Sequence, residues 1–154
     1  MSTFASNCLS GKSILITGGL GSIGRAVVGA LLAHGACVIA NDILDPEKEQ
    51  AIASEQKWSP SRYAYIQADV TKPKEATGLV HSTLSKTGKI DIALCHAGMV
   101  HSCPILDYPT AEWDKIIELK LPPNSWWTST SAAKSSLRLL GFRIFHGQTL
   151  FLTL

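Results

Sequence analysis

Eight residues, TGGLGSIG at positions 17–24, constrain this chain more than any other stretch. They place four glycines directly after the apolar run SILI. Glycine reaches positive φ without steric cost, and a phosphate approaches a backbone closely only where no Cβ blocks it. After the glycines, Ile23, Ala26, Val27, Ala30 and Leu31 recur at helical spacing, and His34-Gly35 closes that helix. A buried strand, a glycine turn and a helix therefore follow one another. The turn then lies at the helix N-terminus, where unpaired N–H groups and the positive end of the helix dipole favour an anion.

The rest of the chain repeats this alternation. Residues 36–40 (ACVIA), 63–68 and 90–95 (IDIALC) read as further strands. Residues 46–56 read as a weak polar helix. Residues 74–86 form a helix that buries Ala76, Leu79, Val80 and Thr83 and ends at Gly88. A last helix over 111–121 carries Trp113, Ile116, Ile117 and Lys120 on one face. The strands are continuous apolar runs, as expected when helices cover both faces of a sheet. Alternating strands and helices imply right-handed crossovers and a doubly wound parallel α/β sheet of Rossmann type.

Beyond Leu121 the regularity decays. Pro122-Pro123 stops the helix, since each proline lacks an N–H and the second forces the first out of helical geometry. Asn124 or Ser125 is placed to cap a helix over 126–140. The final GFRIFHGQTLFLTL is β-prone, either a fifth strand or a hairpin about His146-Gly147. Residues 1–121 are accordingly read as the nucleotide-binding portion and 122–154 as an irregular tail, with the sheet truncated after four or five strands.

Composition narrows the functional classes. The 154 residues are 45% apolar and 17% charged, a globular balance, and 14 basic against 12 acidic residues give a net charge of +2. These charges are scattered, so neither nucleic acid nor an anionic membrane finds a basic patch. No uncharged run approaches the ~20 residues of a membrane helix. The N-terminal MSTFASNCLSGK lacks the features of a signal peptide. Cys8, Cys37, Cys95 and Cys103 form no CxxC pair, and no metal set is expected among them and the histidines. A soluble, reducing, cytoplasmic setting follows as the expectation.

Gly19, Gly21 and Gly24 satisfy GxGxxG in the strand-to-helix context that gives the pattern its meaning. Asp42 lies 18 residues after Gly24, at the end of the next strand. There a carboxylate can accept hydrogen bonds from both hydroxyls of an adenosine ribose and repel a 2′-phosphate. The expected cofactor is NAD rather than NADP.

TGGLGSIG, Asp42, the Asp69-Val70 pair and CHAG at 95–98 together resemble the short-chain dehydrogenase/reductase family over about residues 10–121. The resemblance implies a dinucleotide cofactor, a small-molecule alcohol or carbonyl substrate in the full-length family, and admits a homo-oligomer. It implies that Leu20, Gly21 and Ile23 flank the pyrophosphate and nicotinamide end, with Gly18, Gly19, Ser22 and Gly24 also among the cofactor-binding residues. Asp42 and Ile43 would meet the adenosine ribose, Asp69 and Val70 the adenine, and Ala97 and Gly98 the cofactor beyond the fourth strand.

The chain also departs from the family pattern. Ser22 stands where the commonest form, TGxxxGxG, has glycine, and the spacing of Gly18, Gly21 and Gly24 fits TGxxGxxG instead. His96 replaces an Asn, and Lys120 falls where the family has an Asn of a proton relay. Family members work through a Ser and a YxxxK pair, whose Lys lowers the pKa of the Tyr from near ~10. Tyr63, Tyr65 and Tyr108 have no Lys four residues on, and Gly147-Gln148 lies where the Ser belongs. No catalytic residue is assigned. The expectation is an N-terminal portion of an oxidoreductase with little activity of its own, from a misjudged gene boundary, a frameshift or an alternative transcript. The alternatives are a non-catalytic NAD-binding regulatory module, and a chain whose unpaired sheet edge prevents stable folding.

Overall fold

The five residues Ser13–Thr17 form strand β1, and every one of them is buried. In a strand successive side chains point to opposite faces. Leu15 therefore faces one side, and Ile14 and Ile16 the other. This split organises the molecule. A computed structural model of the chain describes residues 7–120, 142–145 and 149–153.

From β1 the chain runs through α1 (Ser22–Ala33), β2 (Cys37–Asp42), α2 (Pro46–Glu55), β3 (Tyr63–Gln67), α3 (Pro73–Thr87) and β4 (Ile92–Cys95). A single 3-10 turn, Ile105–Asp107, precedes α4 (Thr110–Lys120), and β5 (Phe142–Phe145) and β6 (Thr149–Thr153) follow. The sheet order is β3-β2-β1-β4-β6-β5. β1 to β4 pair in parallel, with Thr17 opposite Asn41 on one side and Cys95 on the other.

Leu15, Ile39 and Ala93 pack on one face of the sheet against Ala76, Leu79 and Val80 of α3. Ile14, Ile16, Val38, Ala40 and Leu94 pack on the other face against Val28 and Leu32 of α1. Each Val, Leu or Ile among them contributes roughly 1.5–3 kcal/mol on full burial. The two clusters together make the doubly wound core that the sequence predicts. α3 buries the four residues expected of it, Ala76, Leu79, Val80 and Thr83.

One expectation is corrected. The inner face of α1 is centred on Gly24, Val28 and Leu32; of the residues spaced for that face, Val27 and Leu31 pack at its margin, whereas Ile23, Ala26 and Ala30 are exposed. Gly24 packs on the glycine turn and so sets the rotation of the helix. Trp113 of α4 is 56% exposed, and its ring meets that of Tyr108 edge to face. The C-terminal run forms the hairpin that is one of its two expected readings, so among the described residues the sheet counts six strands, β1 to β4 being the parallel four. β6 runs antiparallel along β4, Leu94 opposite Phe151, and β5 pairs antiparallel with β6. The helix expected over 126–140, with Trp126 and Trp127, lies outside the described residues.

At the amino end of the sheet Asp91 ties β4 to β1. Its carboxylate accepts a hydrogen bond from the Ser13 N–H at 2.8 Å and pairs with Lys89 at 2.9 Å and Lys12 at 3.5 Å. Burial alone pushes this carboxyl up, but the Ser13 N–H and the two lysines outweigh it and hold the group below its ordinary 3.8. A carboxyl depressed by folding stabilises the native state above its unfolded value, and that contribution is lost as pH falls through the lower folded value. Asp91→Asn should therefore lower stability at neutral pH. It should also flatten the further loss of stability as pH falls below the ordinary value of 3.8, read by denaturant midpoints over the acid range.

Candidate functional site

The order β3-β2-β1-β4 reverses direction between β1 and β4, so the crossovers leaving these two strands go to opposite faces. A crevice at the carboxyl ends follows from that topology and is where such sheets take ligands. The glycine turn sits there, between β1 and α1.

Gly18 has φ +67°, and a Cβ on it would lie 2.8 Å from the Ala97 Cα beyond β4. Only glycine meets both demands, and the turn is thereby drawn against the end of β4. Thr17, the last residue of β1, completes that junction. Its Oγ1 accepts hydrogen bonds from the N–H groups of His96 and Ala97, both at 3.1 Å. A Cβ on Gly24 would overlap the Gly18 carbonyl oxygen and lie 2.9 Å from Gly19 backbone atoms. The first turn of α1 thus rests directly on the loop that precedes it.

Gly19 donates its N–H to the Asn41 carbonyl at 3.0 Å, fixing the turn to β2. Asn41 is 1% exposed, and its side-chain amide donates to the Ile66 and Ala68 carbonyls, both at 3.0 Å. It locks the ends of β2 and β3 together. Arg25 Nε donates to the Leu20 carbonyl at 2.7 Å. Gly21 caps α1 in extended geometry, with no side-chain cap and no acidic residue in the first turn. The N–H groups of Ser22, Ile23 and Gly24 occupy the first three helical positions, which have no intrahelical acceptor. They face the anion-favouring end of the dipole without a competing carboxylate.

Asp42 ends β2 and reaches this turn. Its Oδ2 accepts the Leu20 N–H at 3.1 Å and its Oδ1 accepts the Ile43 N–H at 2.8 Å. A carboxylate offers about four acceptor positions, so two remain. Ile23 and Ile43 are 61% and 66% exposed, placing apolar side chains at the rim.

Asp69 follows β3. Its Oδ1 accepts from both the N–H and the hydroxyl of Thr71, its Oδ2 pairs with Lys72 at 3.4 Å, and its N–H donates to Glu75. Burial pushes this carboxyl up, yet Thr71 and Lys72 hold it below its ordinary value, so it is a carboxylate at neutral pH. The Val70 side chain is buried in the α3-side core, leaving only its backbone for a ligand. Ala97 is half-buried and Gly98 exposed beyond β4. The fold thus brings the expected residues to the same end of the sheet. Thr17, Asn41 and Arg25 were missed by sequence reasoning. A buried Asn at the end of an apolar strand, ACVIAND, is the signal that marks the second of them.

Among the described residues no group of three or more His, Cys, Asp or Glu could hold a metal ion, and no helix is long and apolar enough to cross a membrane. Tyr63, Tyr65 and Tyr108 are followed four residues later by Gln67, Asp69 and Glu112. Burial pushes the hydroxyls of Tyr63 and Tyr65 up, away from acid–base work at neutral pH. Arg143 lies on β5 at the outer edge of the sheet, with β6 between it and β4. Lys120 ends α4, and its side chain is outside the described residues.

Comparison with known proteins agrees with this geometry. A 3-alpha-(or 20-beta)-hydroxysteroid dehydrogenase of Mycobacterium tuberculosis is 34% identical over 113 residues, which are 73% of this chain and 42% of that protein. A D-beta-hydroxybutyrate dehydrogenase of Cupriavidus necator is 34% identical over 73% of this chain and 43% of its own length. The chain thus spans about two-fifths of these curated relatives. Among solved structures, a short-chain dehydrogenase/reductase from Brucella melitensis superposes with a TM-score of 0.75 at 27% identity, covering 88% of this chain and 55% of the other. One from Mycobacterium marinum gives 0.69 at 31% identity, over 84% and 51%. The family model of the short chain dehydrogenases matches residues 12–135, which takes in β1 to α4 and the whole glycine turn. With that match and with the switch-point turn in place, the chain belongs to the short-chain dehydrogenase/reductase family.

Proposed function

We propose that this chain binds NAD at the carboxyl end of its sheet, as the cofactor-holding portion of an oxidoreductase that interconverts alcohols and carbonyls. The observation that carries the reading is the Asp42 carboxylate. It is fixed over the glycine turn by the Leu20 N–H and still has two acceptor positions. Two acceptors on one carboxylate suit the adjacent hydroxyls of a ribose and repel a phosphate in place of one, which favours NAD over NADP. The residues fit the rest of a dinucleotide as well. The Gly18 and Gly24 positions admit no Cβ, and the uncapped first turn of α1 offers N–H groups to a pyrophosphate. In this reading Gly18, Gly19, Leu20, Gly21, Ser22, Ile23 and Gly24 hold the phosphate end. Asp42 and Ile43 hold the ribose, Asp69 and the Val70 backbone the adenine, and Ala97 and Gly98 the far side.

A bound nicotinamide supplies hydride transfer. The residues of this chain bind and orient; none supplies the proton transfer that must accompany it. The tyrosines lack a lysine partner, and burial moves two of them the wrong way. The substrate is a small alcohol or carbonyl compound of the kind the family takes. The four free cysteines suit a reducing, cytoplasmic location.

Calorimetric titration with NAD and NADP, paired with an assay of NADH formation from NAD with short 3-hydroxy acids and hydroxysteroids, tests the proposal. The expected result is saturable binding, tighter for NAD than for NADP, with no turnover above background. No heat from NAD at millimolar concentration would remove the cofactor assignment. Turnover abolished by Asp42→Ala would remove the claim that this chain lacks catalysis.

A further inference from the structure

Resting on the cofactor reading above, we infer that Tyr65 and Gln67 of β3 are positioning residues for Asp42, holding the three-residue segment 42–44 so that its carboxylate stays over the glycine turn. A strand end loses its ladder partners and frays unless side chains take their place. Here those side chains come from β3. Tyr65 and Gln67 are two residues apart and so project on the same face of the sheet. The Tyr65 hydroxyl lies 2.9 Å from the Asp42 carbonyl oxygen and 2.5 Å from that of Leu44, and its single proton serves one of them at a time. The Gln67 side-chain amide donates to the Ile43 carbonyl at 3.1 Å. The Ala68 N–H donates to the Asp42 carbonyl at 3.2 Å. Three consecutive carbonyls are thus gripped from one neighbouring strand.

The grip matters because Asp42 does its own work across a gap. Its Oδ2 bridges to Leu20, 22 positions earlier, with no backbone ladder at that point. The bridge holds only while the Asp42 backbone is held. If segment 42–44 swings out, the carboxylate leaves both the Leu20 N–H and the place where a ribose would sit. Tyr65 and Gln67 therefore act on the ligand through Asp42 and touch nothing bound.

Two measurements on the full chain separate this inference from the cofactor reading. The first needs no ligand. In amide hydrogen exchange, Tyr65→Phe should raise the rates of Leu20 and Ile43 about fivefold to tenfold, the loss of roughly one hydrogen bond, while Leu15 and Ile16 in the core of β1 are unchanged. Gln67→Leu, at an exposed position that leaves the core intact, should act in the same direction to a smaller extent. Unchanged Leu20 exchange in both variants overturns the inference, as does a uniform rise across β1 to β3, which marks a purely structural role. The second is a cycle of NAD affinities for the parent, Tyr65→Phe, Asp42→Ala and the double variant. Tyr65→Phe should weaken NAD about fivefold in the parent and not at all on the Asp42→Ala background. Equal losses on both backgrounds overturn the inference. A parent that binds no NAD overturns the cofactor reading, and the exchange result then stands or falls separately.

Discussion

A Gly24→Ala chain is expected to unfold at a temperature about 3–10 °C below the parent and to bind NAD at least tenfold more weakly. One methyl group does this because of what surrounds it. The added carbon would overlap the Gly18 carbonyl oxygen and meet Gly19 backbone atoms at 2.9 Å. Neither neighbour is a flexible side chain able to turn aside. Either α1 moves off the turn or the turn deforms. Forcing extra volume into a packed site costs roughly 1–3 kcal/mol, and in a chain of this size each kcal/mol is about 2–4 °C. Binding suffers beyond stability, because the same movement displaces the N–H groups of Ser22 and Ile23. Differential scanning calorimetry and NAD titration below the transition read the two effects. A variant with parental melting temperature and affinity would mean that α1 does not rest on the turn as described.

The second large effect is at Asp42. Asp42→Ala should lower NAD affinity about a hundredfold or more, since hydrogen bonds to a charged group contribute roughly 1.5–3 kcal/mol each and two are lost. NADP affinity should fall far less, so the preference between the two cofactors collapses. The Leu20 N–H also loses its acceptor, which lowers stability by about 1–3 kcal/mol. Asp45→Ala is the matched control, because Asp45 is exposed and the one ion pair it makes among the described residues is a 4.0 Å contact with Lys48. The sign of the cofactor preference is informative here: if NAD and NADP weaken together, Asp42 acts on the turn alone and does not read the ribose.

Much of this was legible in the residues. Strands read as buried apolar runs came out within a few residues of their bounds, since continuous burial between two helical layers leaves little choice of residue. Asp42 was legible because the glycine motif supplies a ruler and the next strand ends at it. The inner face of α1 was only in part legible from periodicity. Ile23, Ala26 and Ala30 have the right spacing, but the close approach of Gly24 to Gly18 decides the rotation, and a glycine carries no hydrophobic signal. The C-terminal run reads equally as a fifth strand or as a hairpin about His146-Gly147, and its antiparallel place beside β4 was not legible at all, because a short apolar run names neither partner nor direction. The side chains that brace the site, Thr17, Asn41, Arg25 and Tyr65, act on backbone groups far away in sequence. No local pattern records such a partner.

If one end of this sheet takes a dinucleotide, amide chemical-shift mapping on a 15N-labelled chain during NAD addition reads it residue by residue. The largest, saturable shifts are expected at Leu20 to Gly24, Asp42 and Ile43, Asp69 and Val70, and Ala97 and Gly98, with Asp91 and Lys89 at the opposite end unmoved. Shifts clustered anywhere else, or none at saturating NAD, would contradict that placement.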